Sequence, residues 1–218
     1  MRTSIMKPTR LTRLERHEQT VERLVHSGRS VFLDKGFAAA SIEDIAELAG
    51  YTRGAFYSNY RSKSDLFLEL LRRDFEEIQA RLRNLFGRAK TREELGARLL
   101  VYYSSSSQDG HCFLLWIEAR LLAARDARFR SQFEALRRAK QDQLSAVIHE
   151  FSLRGDIQLA FSAETLAYEL ISLLEGMQFW RTGDPEKKRP EGIESITADL
   201  LAQIVFGRAT TTISDIKS

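Results

Sequence analysis

The residues best suited to chemistry in this 218-residue chain lie between Ser41 and Lys63. This segment has the pattern of a short helix, a tight turn at Gly50 and a second short helix. A turn this short makes the two helices cross steeply, and in that geometry the second helix enters a DNA major groove while the first lies across the backbone. Arg53 stands at the leading end of the second helix, where its guanidinium suits a guanine edge.

The neighbouring side chains also suit contacts with DNA. Gly54 and Ala55 are small enough to let the backbone approach bases, and the Tyr57 hydroxyl can bond a phosphate. Lys63 begins the next helix, where its ammonium would lie beside a phosphate. A helix pair that serves only as a structural corner remains an alternative on these residues alone. The candidate DNA contacts are Ser41, Thr52, Arg53, Gly54, Ala55, Tyr57, Ser58, Asn59 and Lys63.

The positive charge of the chain is concentrated at its start. The formal net charge is +3, and residues 1–16 hold five basic residues and one acidic residue. A basic arm over residues 1–17 would add phosphate contacts beside a DNA-reading unit. A solvated terminus is the alternative explanation.

Proline and glycine positions predict the elements that hold these residues. The three prolines are Pro8, Pro185 and Pro190, so the long interval between the first two is free of helix breakers. Gly36 is expected to end the first helix, and Ser41 and Thr52 to cap the second and third. We expect an all-α protein of about nine helices.

The later helices follow the same signals. Thr91 with Glu94 predicts a capped fifth helix, and the apolar run 112–117 predicts a helix buried on all sides. Ser162 is expected to cap the helix at about 163–181, and a last helix is expected at about 192–206. No strand alternation or internal repeat is visible.

Composition excludes several classes of protein. A hydrophobic fraction of 43% and a charged fraction of 29% indicate a folded chain rather than a disordered one. The single cysteine, Cys112, cannot form an intramolecular disulfide, and its apolar neighbours indicate an inert thiol. The four histidines lack zinc-site spacing, and no nucleophile triad or phosphate loop is visible. We expect no metal, no cofactor, no enzymatic activity, no membrane span and a cytoplasmic location.

The segment 18–78 resembles the DNA-binding domain of TetR-family transcriptional regulators. Three positions depart from the common pattern: Ser58-Asn59 stands where many members have an aromatic–His pair, and Tyr51 where a small aliphatic residue is frequent. The matching motifs are Val31-Phe32, Lys35-Gly36-Phe37, Ser41 to Ala46, Ala49-Gly50, Arg53 to Tyr57, Tyr60, Ser62-Lys63 and Asp65 to Phe67.

The resemblance implies a domain organisation and a function. The helix-turn-helix covers about 41–60, an effector-binding and dimerisation domain covers 79–207, and a tail covers 208–218. It implies a homodimer that binds a palindromic double-stranded operator and is released from it by an apolar or aromatic small molecule. Two alternatives to a ligand-released repressor remain. One is a ligand-responsive activator, and the other is a helical small-molecule carrier or enzyme whose helix-turn-helix is only structural.

Candidate effector and dimer residues follow from the same resemblance, with ordinary core packing as the alternative for each of them. The effector candidates are aromatic or polar: Tyr102, Tyr103, His111, Trp116, Tyr168, Gln178, Phe179 and Trp180. The dimerisation candidates lie on the last two predicted helices: Leu173, Gly176, Met177, Ile196, Leu200 and Ile204.

Overall fold

The computed structural model is all-helical in the residues it describes. These are 12–89, 91, 94–95, 97–98, 101, 110–155, 158–159, 161–182, 196 and 200. Seven helices lie there: α1 (Arg13–Ala39), α2 (Ile42–Ala49), α3 (Arg53–Tyr57), α4 (Lys63–Arg88), α5 (Gly110–Arg125), α6 (Ala127–Gly155) and α7 (Ala163–Thr182). The all-α prediction is confirmed. The sequence predicted about nine helices, and seven are described. The other two predicted helices, the one capped by Thr91 and the one at about 192–206, lie mainly outside the described residues.

Helix α1 continues past the glycine that was expected to end it. Gly36 has φ 76° and ψ 157°, which breaks the helical geometry, but one further turn follows to Ala39. The Ala40 N–H bonds the Gly36 carbonyl at 3.1 Å. Glycine takes the left-handed φ without strain, so it makes a kink here rather than an end. At its start, α1 is capped by Thr12 and Glu15 in a capping box.

The chain divides into two compact units, residues 1–70 and 71–218. The core of the first is aromatic: the ring of Phe67 lies 5.0 Å from that of Phe32 and 4.9 Å from that of Phe37. Gly28 allows α1 to pack closely against α4, since a Cβ at this position would lie 2.7 Å from Leu66 Cδ2. Fully buried apolar side chains complete this core, among them Leu24, Ile45, Phe56, Leu66 and Leu70.

The second unit has its own core, to which α4, α6 and α7 all contribute. Its members include Phe86, Leu95, Leu144, Ile148, Phe151, Leu166 and Leu170. The predicted cap of α7 is confirmed, because the Thr165 N–H bonds Ser162 Oγ at 3.2 Å. None of the helices among the described residues combines the length and apolar character that a bilayer crossing requires.

Helix α5 is not buried on all sides, contrary to the expectation from its apolar run. Leu115 and Trp116 are buried, whereas Leu114 and Leu121 are 39% and 53% exposed. The helix meets α6 and α7 on one side, and its other face is uncovered in the described part of this chain. An apolar composition predicts burial but does not say how many neighbours a helix has.

Candidate DNA-binding site and effector cavity

The turn between α2 and α3 is fixed by local hydrogen bonds at both helix ends. Ser41 and Asp44 form the expected capping box: the Asp44 N–H bonds Ser41 Oγ at 3.0 Å and the Ser41 N–H bonds the Asp44 carboxylate at 2.9 Å. Gly50 ends α2 in the left-handed conformation, with φ 74°. The Tyr51 N–H then bonds the Ala46 carbonyl at 2.8 Å. These bonds set the angle at which α3 leaves the turn.

Helix α3 is shorter than predicted and is held by its own side chains. It ends at Tyr57 rather than near residue 60, and Thr52 caps it through the Ala55 N–H at 3.3 Å. Ser58 Oγ donates to the Gly54 carbonyl at 2.9 Å, and Asn59 Nδ2 donates to the Ala55 carbonyl at 2.8 Å. Two predicted DNA contacts, Ser58 and Asn59, are therefore already bonded to the backbone of α3.

Arg53 lies on the accessible side of α3 and has two partners. Its Nη1 lies 2.6 Å from Glu43 Oε1, and its Nη2 donates to the Tyr57 hydroxyl at 3.2 Å. The hydrogen bond to Tyr57 and the nearby Glu43 carboxylate raise the pKa of Arg53 above its ordinary value. The Arg53 side chain is 62% exposed, so its charged guanidinium is within reach of a ligand.

Lys63 occupies a place that sequence reasoning did not foresee. Its Nζ donates to the carbonyl oxygens of Phe37 and Ala40, each at 2.6 Å, and to that of Ala38 at 3.4 Å. The ammonium also lies 4.5 Å from the centre of the Phe37 ring. Lys63 thus joins the first turn of α4 to the carboxyl end of α1, while its contact with phosphate stays a prediction.

A second long-range contact supports the capping box. Lys35 Nζ, near the end of α1, lies 2.9 Å from the Asp44 carboxylate. The bond from Lys35, together with the Ser41 backbone N–H and hydroxyl, lowers the pKa of Asp44 from 3.8 to about 2. The Asp44 carboxylate is therefore charged at neutral pH and binds the first turn of α2 to α1.

The second unit contains a cavity of about 330 Å³ among α4, α6 and α7. Of the predicted effector residues described there, Gln178 lines it. Its wall is largely apolar, and it is lined by Phe75, Ile78, Gln79, Leu82, Arg83, Phe86, Lys140, Gln143, Leu144, Ala146, Val147, Glu150, Leu170, Ile171, Leu174, Glu175 and Gln178. A cavity of this size and character suits a small organic ligand.

The other effector candidates are placed differently. Trp116 is buried, and its ring lies 5.0 Å from Lys140 Nζ, which lines the cavity. Tyr168, Phe179 and Trp180 are exposed on α7, by 57%, 62% and 84%. They are not among the residues that line this cavity. Tyr102, Tyr103 and the His111 and Cys112 side chains lie outside the described residues.

The dimerisation candidates are spread over several environments. Leu173 is half-buried against the core of the second unit, and Met177 is also half-buried. Gly176 is exposed, with open space where a Cβ would stand. Ile196 and Leu200 are 54% and 42% exposed. Ile204 lies outside the described residues, as do residues 1–11 of the basic arm and the tail from 208.

An ion cluster at the cavity wall was not foreseen. Glu175 of α7 bonds Lys140 of α6 at 3.0 Å and also pairs with Arg120 of α5. Arg120 thus pairs with a carboxylate of another helix. The contact spans 55 residues, so no local spacing rule could have indicated it.

Taken together, the first unit is a helix-turn-helix DNA-binding domain and the second a helical domain with a ligand-sized cavity. This combination defines the class of helix-turn-helix transcriptional regulators. Residues 24–70 match the profile of "Bacterial regulatory proteins, tetR family". The first unit therefore has a DNA-binding domain of the tetR type, and the chain is similar to DNA-binding transcriptional regulators.

The chain is also similar to individual regulators. The HTH-type transcriptional regulator YwcC of Bacillus subtilis is 39% identical over 56 residues, which span 26% of this chain and 25% of YwcC. The HTH-type transcriptional activator FasR of Mycolicibacterium smegmatis is 22% identical over 84% of this chain and 81% of its own. The fold is similar to that of FadR from Bacillus subtilis, solved in complex with stearoyl-CoA, with a TM-score of 0.68 and 15% identity over 85% of this chain and 98% of that one.

Proposed function

We propose that this regulator binds a palindromic operator as a homodimer and leaves it when a small molecule occupies the cavity of the second unit. The observation that carries the proposal is the capped helix-turn-helix with Arg53 and Tyr57 exposed on α3. Arginine is the side chain that most often reads guanine, through two parallel hydrogen bonds. Tyrosine hydroxyls commonly bond phosphates and fix the register of the helix on the duplex.

The dimer follows from how such domains read DNA. Each chain has one recognition helix, and two of them must reach major grooves about 34–36 Å apart, or a multiple of that spacing. The exposed aromatic residues of α7, Phe179 and Trp180, support an interface with a second copy. Large apolar side chains grouped on a surface favour association, and tryptophan is enriched at the centres of interfaces.

Ligand-dependent release is a shift between two populations of the dimer. A ligand that binds better to a form with unsuitable recognition-helix spacing lowers the population that fits the operator. The cavity among α4, α6 and α7 supplies the place for that ligand. The stearoyl-CoA bound to the similarly folded FadR supports the view that this architecture accommodates an organic effector.

The proposal is tested by selecting DNA from a random library with the purified protein. We expect enrichment of an inverted repeat, and we expect Arg53→Ala to reduce discrimination against a mutated half-site by about ten- to a hundredfold. The thermal unfolding midpoint should stay unchanged, because Arg53 is exposed. Arg23→Ala, which removes an exposed arginine of α1, is the matched control and should leave selectivity intact. A folded protein that enriches no sequence contradicts the proposed function.

A further inference from the structure

The cavity of the second unit has a charged group at its wall that joins three helices. Glu175 of α7 receives a hydrogen bond from Lys140 of α6 at 3.0 Å and an ion pair from Arg120 of α5. Lys140 and Glu175 both line the cavity. Two cations thus share one carboxylate, which leaves this cluster with one net positive charge.

The excess comes from Arg120, which pairs with Glu175 but does not itself line the cavity. Besides Lys140 and Glu175, the charged residues that line it are Arg83 and Glu150, one of each sign. A second carboxylate brought to the cluster would meet Lys140 while Arg120 continued to neutralise Glu175. Two cations would then face two carboxylates, and charge-assisted hydrogen bonds of this kind are stronger than neutral ones. A cationic head group would instead add to an existing positive excess.

A buried donor beside the cluster also calls for an acceptor. Trp116 is 7% exposed, and its ring lies 5.0 Å from Lys140 Nζ. Its indole Nε1 is buried without a hydrogen-bond partner in the part of the chain that the structure describes. A buried N–H without an acceptor is unfavourable, so a bound group or a water that supplies one is favoured there.

The rest of the cavity suits an apolar body. Phe75, Leu82 and Phe86 of α4 face it, as do Val147 of α6 and Leu174 of α7. Burial of apolar surface supplies most of the binding free energy in such a site, while a few polar groups set the orientation. The cavity therefore has an apolar body and one charged end.

On the basis of the proposed function, we propose that the effector is an amphipathic organic acid, with its apolar body among α4, α6 and α7 and its carboxylate on Lys140. Lys140 is the specificity-determining residue in this arrangement. Arg120 neutralises the Glu175 carboxylate, which reduces its repulsion of the bound acid.

The test compares three probes of equal chain length by calorimetric titration of the full-length protein: decanoic acid, decan-1-ol and decylamine. We expect the acid to bind about tenfold or more tightly than the alcohol, and the amine to bind most weakly. Lys140→Met should reduce acid binding to the level of the alcohol, and Lys140→Arg should keep the preference. Arg137→Met is the matched control: it removes a cation of the same helix that pairs with Glu134 and does not line the cavity.

Several results would overturn the assignment. An acid that binds no better than the alcohol, an amine that binds best, or no binding of the acid at all each contradicts an acidic effector. If Lys140→Met still binds the acid more tightly than the alcohol, Lys140 does not determine the specificity. If that variant does not fold, the three probes on the unmodified protein and the Lys140→Arg variant still test the proposal. Selective DNA binding is measured separately on the same protein, so its absence contradicts the proposed function and not the effector class.

Discussion

Arg53 and Glu43 form an ion pair across the helix-turn-helix, with 2.6 Å between Nη1 and Oε1. Glu43 lies in the first turn of α2, and Arg53 is the first residue of α3. The ion pair therefore connects the two helices of the motif. Both side chains are more than half exposed. Exposed pairs of this kind contribute little stability, so DNA can replace Glu43 at small cost. The carboxylate therefore holds the guanidinium in place and competes with DNA for it.

Replacing Glu43 with glutamine should strengthen operator binding. The variant removes the competitor of Arg53, and we expect about a two- to fivefold gain in affinity for the selected operator. The gain should be smaller on scrambled DNA, where Arg53 finds no matching guanine. Fluorescence anisotropy with both duplexes measures the difference. Glu47→Gln makes the same charge change on α2, and equal gains from both variants would show that only the net charge matters.

Lys63 gives a test that separates two roles for one side chain. If its ammonium serves the carbonyl oxygens of Phe37 and Ala40, Lys63→Met should destabilise the protein by roughly 2 kcal/mol, because charged hydrogen bonds are lost. The salt dependence of DNA binding should then stay unchanged. If Lys63 contacts a phosphate, the slope of log K against log salt should fall by about 1. Urea unfolding and salt titrations together distinguish the outcomes.

The sequence was informative wherever structure depends on near neighbours. The caps at Ser41, Gly50 and Thr52 were predicted because each involves hydrogen bonds between residues three to five apart. The all-helical fold was predicted from the same local signals and from the absence of proline over most of the chain. These features depend on backbone geometry that a few residues determine together.

Contacts between distant segments were not predictable in the same way. Lys63 bonds a carbonyl 26 residues away, and Arg120 pairs with a carboxylate 55 residues away. Composition could not show which face of α7 meets α6, so Trp180 was assigned to a cavity although it is 84% exposed. Such placements depend on how helices pack, which periodicity alone does not specify.

The lowered pKa of Asp44 predicts that the protein loses stability in acid. Its pKa is about 2 in the folded chain and 3.8 in the absence of its partners. A carboxyl group whose pKa is lower in the folded state stabilises the fold above its unfolded pKa and loses that contribution as the pH falls through the folded value. We therefore expect the urea midpoint to fall between about pH 5 and pH 2. Asp44→Asn should be less stable at neutral pH and should show a flatter decline.

The control for this measurement is Glu47→Gln, which removes a carboxylate of the same helix outside the capping box. It should decline with pH as steeply as the unmodified chain. A decline in Asp44→Asn that matches the unmodified chain would assign the acid sensitivity to other carboxyl groups. Circular dichroism during urea unfolding at a series of pH values provides the comparison.

Trp180 provides a test of the proposed dimer. It is the most exposed large apolar side chain in the described part of the chain, at 84%, and Phe179 beside it is 62% exposed. If α7 forms the interface, Trp180→Ser should weaken the dimer by roughly 2 kcal/mol, about thirtyfold in dissociation constant, because tryptophans at interface centres carry much of the binding free energy. Sedimentation equilibrium measures this directly. Leu153→Ser is the matched control, since Leu153 is 69% exposed but lies on α6. Equal effects of the two variants, or a monomer before any substitution, would contradict an interface on α7.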